Sequence, residues 1–215
     1  MENKVEGKLL IIGGAEDKDS RCIILNKVVE LAGGEESNIV VLTVATEYPK
    51  KIGEEYTQIF SDLGVRQISA IDIRSRKDAN CTDYISEIEN ASCIFFTGGD
   101  QLRITSLLGG TGAEHMLKKA YRRGVVIAGT SAGASVMSET MITSGNDDDA
   151  PKKCTLKMAP GLGLLKDVVV DQHFAQRGRI GRLLTAIAQN PLMLGMGIDE
   201  DTAVVIGNDA IFEVI

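Results

Sequence analysis

Histidine, proline and tryptophan are scarce in this chain. Its 215 residues include His 2, Pro 4 and Trp 0, with aromatics at 4%. Two imidazoles, His115 and His173, cannot build a histidine-rich metal site, and a histidine base, if one is needed, must be one of them. Long apolar runs are missing too. No stretch of about 18 apolar residues occurs, so no membrane span is expected. The polar start from Met1 to Gly7, followed by an apolar run of only Leu9 to Ile12, cannot form the core of a secretion signal. Clustered basic residues are absent. Lys+Arg 23 against Asp+Glu 30 gives a net charge of −7, which argues against nucleic-acid binding. Such a charge would attract a cationic substrate but does not define one. Cys22, Cys81, Cys93 and Cys154 form no C-x-x-C pair, which argues against zinc. Cys93 lies in an apolar run and reads as a small core residue. A reduced, cytoplasmic protein is expected.

What is present points to a folded α/β chain. Hydrophobic residues make up 44% and charged residues 25%, and the apolar fraction argues against disorder. The length suits a single α/β domain over residues 1–215. Strand patterns fall at Lys8–Ile12, Asn38–Thr43, Val65–Ile71, Cys93–Thr97, Val125–Ala128, Val168–Asp171, Leu192–Ile198, Ala203–Ile206 and Ile211–Ile215. Helical spacing marks Ser20–Ala32, Lys51–Leu63, Thr82–Asn90, Ala113–Arg123, Ala132–Met141 and Gly178–Gln189. Gly33-Gly34 and Gly124 supply C-terminal stops. The alternation predicts a mostly parallel central sheet with helices on both faces. Thr143–Gly163 is the least regular stretch and reads as a loop, with the solvated acidic run Asp147-Asp148-Asp149 inside it.

Chemistry concentrates at Gly129-Thr130-Ser131-Ala132-Gly133, a G-x-S-x-G between an apolar strand and a helix-forming run. That is the setting of a nucleophile elbow, where small neighbours permit a sharp turn and a helix N-terminus faces the serine. A serine hydroxyl needs a base. His173 follows the apolar run Val168-Val169-Val170, and the carboxyl ends of parallel strands share one edge, so Ser131 and His173 are expected to face one crevice. His115 lies mid-helix and reads as a surface residue. An acid must orient the imidazole. Asp199, Glu200, Asp201, Asp171 and Asp147 to Asp149 are all candidates, and the residues alone do not choose among them. An oxyanion hole needs two N–H donors. One is the amide of Ala132. The other comes from a glycine turn after a neighbouring strand, either Gly98-Gly99 or Gly13-Gly14. The latter is no dinucleotide fingerprint, because G-x-G-x-x-G is absent.

These segments together resemble cyanophycinase, in the serine peptidase group that includes aspartyl dipeptidase. The resemblance rests on Ile12-Gly13-Gly14-Ala15-Glu16-Asp17, Phe96-Thr97-Gly98-Gly99-Asp100-Gln101, Gly129 to Ala134, Asp171-Gln172-His173-Phe174 with Arg177, Arg179 and Arg182, and Gly197 to Ala203. It covers nearly the whole chain. It implies a fold similar to class I glutaminase domains, a flavodoxin-like three-layer sandwich. It implies Ser131 as nucleophile, His173 as base and Glu200 as acid, although related dipeptidases draw their acid from between serine and histidine. Gly99 and Ala132 match the oxyanion positions, and Gln101, Asp171, Gln172 and Arg179 match substrate contacts. The implied reaction is exopeptidase cleavage of an arginine-bearing poly-aspartate into β-Asp-Arg dipeptides, without metal or cofactor, by a homodimer. The alternatives are an α-aspartyl dipeptidase or other small-peptide serine hydrolase, and a catalytically silent ligand-binding module. The family is expected to continue beyond Ile215, so the chain is a shorter relative or lacks C-terminal residues.

Overall fold

Runs such as Leu9-Leu10-Ile11-Ile12 are apolar at every position, the pattern of strands covered on both faces. In the computed structural model, which describes residues 6–145, 156–207 and 211–215, they form the middle of a seven-stranded sheet. Its parallel part comprises β1 (Leu9–Ile12), β2 (Asn38–Leu42), β3 (Gln67–Ile71), β4 (Cys93–Phe96) and β5 (Val126–Thr130). Two further pairs stand apart: β6 (Thr140–Ser144) with β7 (Lys157–Pro160), antiparallel, and β8 (Val168–Gln172) with β9 (Leu194–Ile198), parallel. The chain then returns to the main sheet as β10 (Ala203–Ile206) and β11 (Phe212–Val214), both antiparallel to their neighbours. The strand order is β11-β10-β1-β5-β4-β2-β3.

Strand periodicity sorts the core into two layers. Leu9 and Ile11 join Ile94, Phe96 and Ile127 on one face. Leu10 and Ile12 join Phe95, Val126 and Ala128 on the other. Helices α1 (Ile23–Ala32) and α2 (Pro49–Asp62) cover the second face through Leu25, Val28, Tyr56 and Phe60. Helices α3 (Thr82–Asn90), α4 (Gln101–Leu108) and α5 (Gly112–Arg123) cover the first through Ile88, Ile104 and Leu117. Each such aliphatic side chain withdrawn from water contributes about 1.5–3 kcal/mol before entropy is counted. The result is the expected α/β sandwich. Gly33 and Gly124 close α1 and α5 at φ 113° and 114°, a conformation that favours glycine.

The structure corrects four expectations. The helix after the elbow, α6, spans only Ala132–Ser135 rather than reaching Met141. Its further growth is blocked by a distant segment. The N–H of Leu162 donates to the Val136 carbonyl at 2.7 Å, and those of Leu164 and Leu165 donate to Met137 at 2.9 Å each. Carbonyls that would have continued the helix are already engaged. Second, part of Thr143–Gly163 is not loop, because Thr143 and Ser144 belong to β6 and Lys157–Pro160 form β7. Third, Gln101–Leu108 is helical, begun by the Asp100 side chain accepting from the Leu102 N–H at 2.8 Å. Fourth, the strands expected at Val168–Asp171 and Leu192–Ile198 form as β8 and β9, the latter starting only at Leu194, and pair with each other outside the central sheet. Against that pair packs α7 (Ile180–Gln189) through Leu183 and Ala186. The acidic run Asp147 to Asp149 and Cys154 lie outside the described residues.

Candidate active site

Register brings the site together. Parallel pairing sets Ile12 beside Thr130, and Phe96 beside Gly129. The residues just beyond these strand ends therefore converge: Gly13, Ser131 and Gly98. An ideal Cβ on Gly98 would lie 3.5 Å from the Ser131 Cβ. Parallel pairing of β8 with β9 sets Gln172 beside Ile198, so His173 and Asp199-Glu200 emerge side by side. The two pairs are joined through β1: the His173 N–H donates to the Gly13 carbonyl at 2.8 Å, and the Ser131 N–H to the Ile12 carbonyl at 3.0 Å.

Ser131 sits at φ 53°, ψ −109°, a conformation that costs a side-chain-bearing residue about 1–3 kcal/mol. Its flanking glycines explain how the turn fits. A Cβ on Gly129 would lie 2.5 Å from the Gly133 carbonyl oxygen, and one on Gly133 2.5 Å from that of Phe96. The hydroxyl lies 3.0 Å from His173 Nε2, and His173 Nδ1 lies 2.6 Å from Glu200 Oε1. The tautomer consistent with both contacts carries the proton on Nδ1, donated to Glu200, and leaves Nε2 to accept from Ser131. The His173 side chain is 11% exposed and the Glu200 side chain 36%. The other carboxylates near the histidine are engaged elsewhere. Asp199 Oδ1 accepts from the Ala175 N–H at 2.8 Å, and Asp201 Oδ1 from the Asp17 N–H at 2.8 Å.

Asp171 is 1% exposed and receives both Arg182 Nε, at 2.9 Å, and Arg182 Nη2, a bidentate pair. Arg179 Nη1 lies 3.6 Å from the same carboxylate and donates to the Gln172 carbonyl at 2.6 Å and Oε1 at 3.0 Å. Asp171, Gln172, Arg179 and Arg182 thus form one buried charged cluster beside His173. Gln101 Nε2 is 2.9 Å from the Ile142 carbonyl, which ties α4 to β6. Gly99 has φ 144°, and its Cβ would lie 2.2 Å from the Ala45 carbonyl oxygen. Among the described residues, neither the Gly99 nor the Ala132 N–H donates to a protein acceptor. The short α6 limits the helix-dipole contribution anticipated at Ser131 to local N–H groups. His115 is exposed on α5. Burial pushes the Cys93 thiol up to about 12, as befits a core residue. Among the described residues, no group of three His, Cys, Asp or Glu could hold a metal ion, and no helix is long and apolar enough to cross a membrane.

One further residue belongs to the site, and sequence pattern alone assigns it no role. Glu16 lines a cavity of about 240 Å³ together with Ser131, His173, Lys18 and Tyr56. The signal was available, as an acidic residue inside the glycine turn that follows a wholly apolar strand.

The geometry is that of a serine hydrolase on a three-layer α/β scaffold, and the comparisons with known proteins agree. Residues 9–214 match peptidase family S51, and the chain belongs to that family. It is a peptidase of the serine type. It is 40% identical over 216 residues to the cyanophycinase of Geminocystis herdmanii, covering 100% of this chain and 79% of that relative. Its fold is similar to a peptidase from an acI-B1 actinobacterium, with a TM-score of 0.73 at 22% identity over 99% of this chain and 88% of the other. A putative peptidase E protein of Listeria monocytogenes matches with a TM-score of 0.66 at 18% identity, over 98% and 97% of the two chains.

Proposed function

We propose that this peptidase is a cyanophycinase-like exopeptidase that cleaves the aspartyl backbone of cyanophycin and releases β-Asp-Arg dipeptides. One observation carries the reading: Ser131 Oγ, His173 and Glu200 Oε1 stand in line at 3.0 and 2.6 Å, with the serine held on a strained turn. In this reading Ser131 Oγ attacks the aspartyl carbonyl as its proton passes to His173 Nε2. Glu200 holds the imidazole by Nδ1–H and stabilises its charged form. The oxyanion is received by the Gly99 and Ala132 N–H groups. His173 then protonates the leaving amine, and water, deprotonated by His173, releases the acyl-enzyme. Gln101, Asp171, Gln172 and Arg179 shape the substrate side. The buried Asp171–Arg182 pair keeps that wall rigid, because removing one partner would strand a buried charge. The same reading includes a reduced cytoplasmic setting and a homodimer.

The test is a paired assay on cyanophycin and on α-aspartyl dipeptides. Release of β-Asp-Arg from the polymer supports the reading. Activity on the dipeptides alone replaces it with an aspartyl dipeptidase. Ser131→Ala abolishes both hydrolysis and covalent labelling by a serine-reactive phosphonate; hydrolysis that survives this change removes Ser131 from the reaction.

A further inference from the structure

Glu16 is 4% exposed, yet among the described residues no arginine or lysine pairs with its carboxylate. Two hydroxyls hold it instead. Thr130 Oγ1 donates to Oε2 at 2.6 Å, and the Tyr56 hydroxyl donates to Oε1. Thr130 and Tyr56 are themselves buried, at 4% and 3% exposure. Burial first, then the charge of Glu16, hold the Tyr56 hydroxyl well above its ordinary value, so it stays a proton donor. The arrangement continues outward: Lys18 Nζ lies 4.4 Å from the Tyr56 ring centroid and 2.7 Å from Glu55 Oε1.

A buried carboxylate is an expensive way to fill space. Without good partners it costs several kcal/mol, and an apolar side chain of similar volume often serves stability as well. Its location supplies a reason. Thr130 is the last residue of β5, and the next residue is Ser131 with its φ of 53°. A strained residue persists only where its surroundings over-determine it. The backbone bond from the Ser131 N–H to Ile12 fixes one side of that turn. The hydroxyl of Thr130, clamped by Glu16, fixes the residue before it. We infer that Glu16 is a positioning residue for the nucleophile, acting through the Thr130 hydroxyl to hold the elbow, with Tyr56 holding Glu16 in turn. This rests on the proposed role of Ser131.

Small displacements of a reacting group are costly in rate, so a loosened elbow lowers turnover more than binding. Glu16→Gln keeps the volume and removes one of the two acceptors. Thr130→Val keeps the shape and removes the hydroxyl. Each is expected to lower kcat roughly 10- to 100-fold with KM changed less than about twofold, and to slow phosphonate labelling of Ser131 in parallel. The two losses are non-additive, because both variants cut the same link. Thr130→Ser, which keeps the hydroxyl, recovers most of the rate. A role in stability alone would lower Tm while leaving kcat per folded molecule and the labelling rate unmoved. The inference is overturned if folded Glu16→Gln or Thr130→Val keeps kcat within about twofold of the parent, or if their losses add. If Glu16→Gln does not fold, Thr130→Val against Thr130→Ser decides. Ser131→Ala separates the layers: activity surviving in it overturns the underlying reading, whereas unchanged kcat in the Glu16 and Thr130 variants overturns only this inference.

Discussion

Two glycine pairs end neighbouring parts of the same sheet, Gly13-Gly14 after β1 and Gly98-Gly99 after β4, and they do different work. The first is a junction of backbone bonds. Gly13 accepts from the His173 N–H at 2.8 Å and donates to the Thr202 carbonyl at 2.9 Å, while Gly14 accepts from the Asp201 N–H at 3.0 Å. With Ser131 bound to Ile12, one turn fixes the segments that carry serine, histidine and acid. The second pair makes fewer such bonds. Gly98 lies against Ser131, and the Gly99 N–H has no protein acceptor among the described residues. One turn holds the machinery; the other, in the proposed reaction, offers its Gly99 N–H to the oxyanion. The difference lies in where the hydrogen bonds go, which two identical dipeptides do not disclose.

The largest expected effect comes from breaking the holding turn. A Cβ on Gly14 would lie 2.4 Å from His173 Cε1 and 2.5 Å from Nε2, at a backbone φ of 106°. Gly14→Ala therefore displaces the imidazole itself. Steady-state assays are expected to show a loss of about a thousandfold or more in kcat/KM, close to that of removing the base. Thermal unfolding should show a destabilisation of about 1–3 kcal/mol from the strained backbone. An active Gly14→Ala enzyme would mean that the turn does not set the histidine.

The facing turn splits into a severe and a mild substitution. At Gly99, φ is 144° and a Cβ would lie 2.2 Å from the Ala45 carbonyl oxygen, so alanine shifts the N–H. Loss of one oxyanion donor lowers kcat by about 10²–10³ with little change in KM. At Gly98 the added Cβ would make only ordinary contacts, 3.5 Å from Ser131 Cβ and 3.8 Å from the Thr130 carbonyl oxygen. Gly98→Ala should keep kcat within about threefold and change stability by less than about 0.5 kcal/mol, as for substitutions outside special backbone sites. Equal losses at the two positions would dissolve the distinction between them.

How much of this was legible beforehand depends on whether local pattern or register decides. Ser131 and His173 stand out locally, because G-x-S-x-G between strand and helix patterns has few structural solutions and only two histidines compete. Glu200 does not stand out. Asp199, Glu200 and Asp201 are adjacent, and only the pairing of Gln172 with Ile198 and the antiparallel return into β10 aim Glu200 at Nδ1. Asp171 looked equally suitable, but Arg182 occupies it. The central strands were visible because they are apolar on both faces. That β8 and β9 leave the sheet was not visible, since a detached parallel pair has the same composition as an inserted one. The overlong helix after Ser131 fails for a related reason. Its stop comes from Leu162, Leu164 and Leu165, bonds that no local propensity encodes.

The smallest effect on activity lies at the outer end of the holding turn. Asp17 accepts from the Ser20 hydroxyl at 2.6 Å and from the backbone N–H groups of Cys22, Ser20 and Asp19 at 3.0, 3.0 and 3.1 Å. These bonds, the Ser20 hydroxyl foremost, hold its carboxyl far below the usual carboxylate range. A carboxyl depressed in the folded state contributes stability above its unfolded pKa of about 3.9, and loses it as pH falls through the lower folded value. The Asp17 N–H also donates to Asp201, so this loop supports the segment next to Glu200. Asp17→Asn keeps an acceptor but removes the charge. Its Tm should lie a few degrees below the parent by a constant gap above about pH 5, and the gap should narrow as pH drops below about 3. Activity at neutral pH should change less than about twofold, because Gly13 and Gly14, not Asp17, bind the catalytic segments. A gap in Tm that ignores pH would show that the charge of Asp17 does not support the turn.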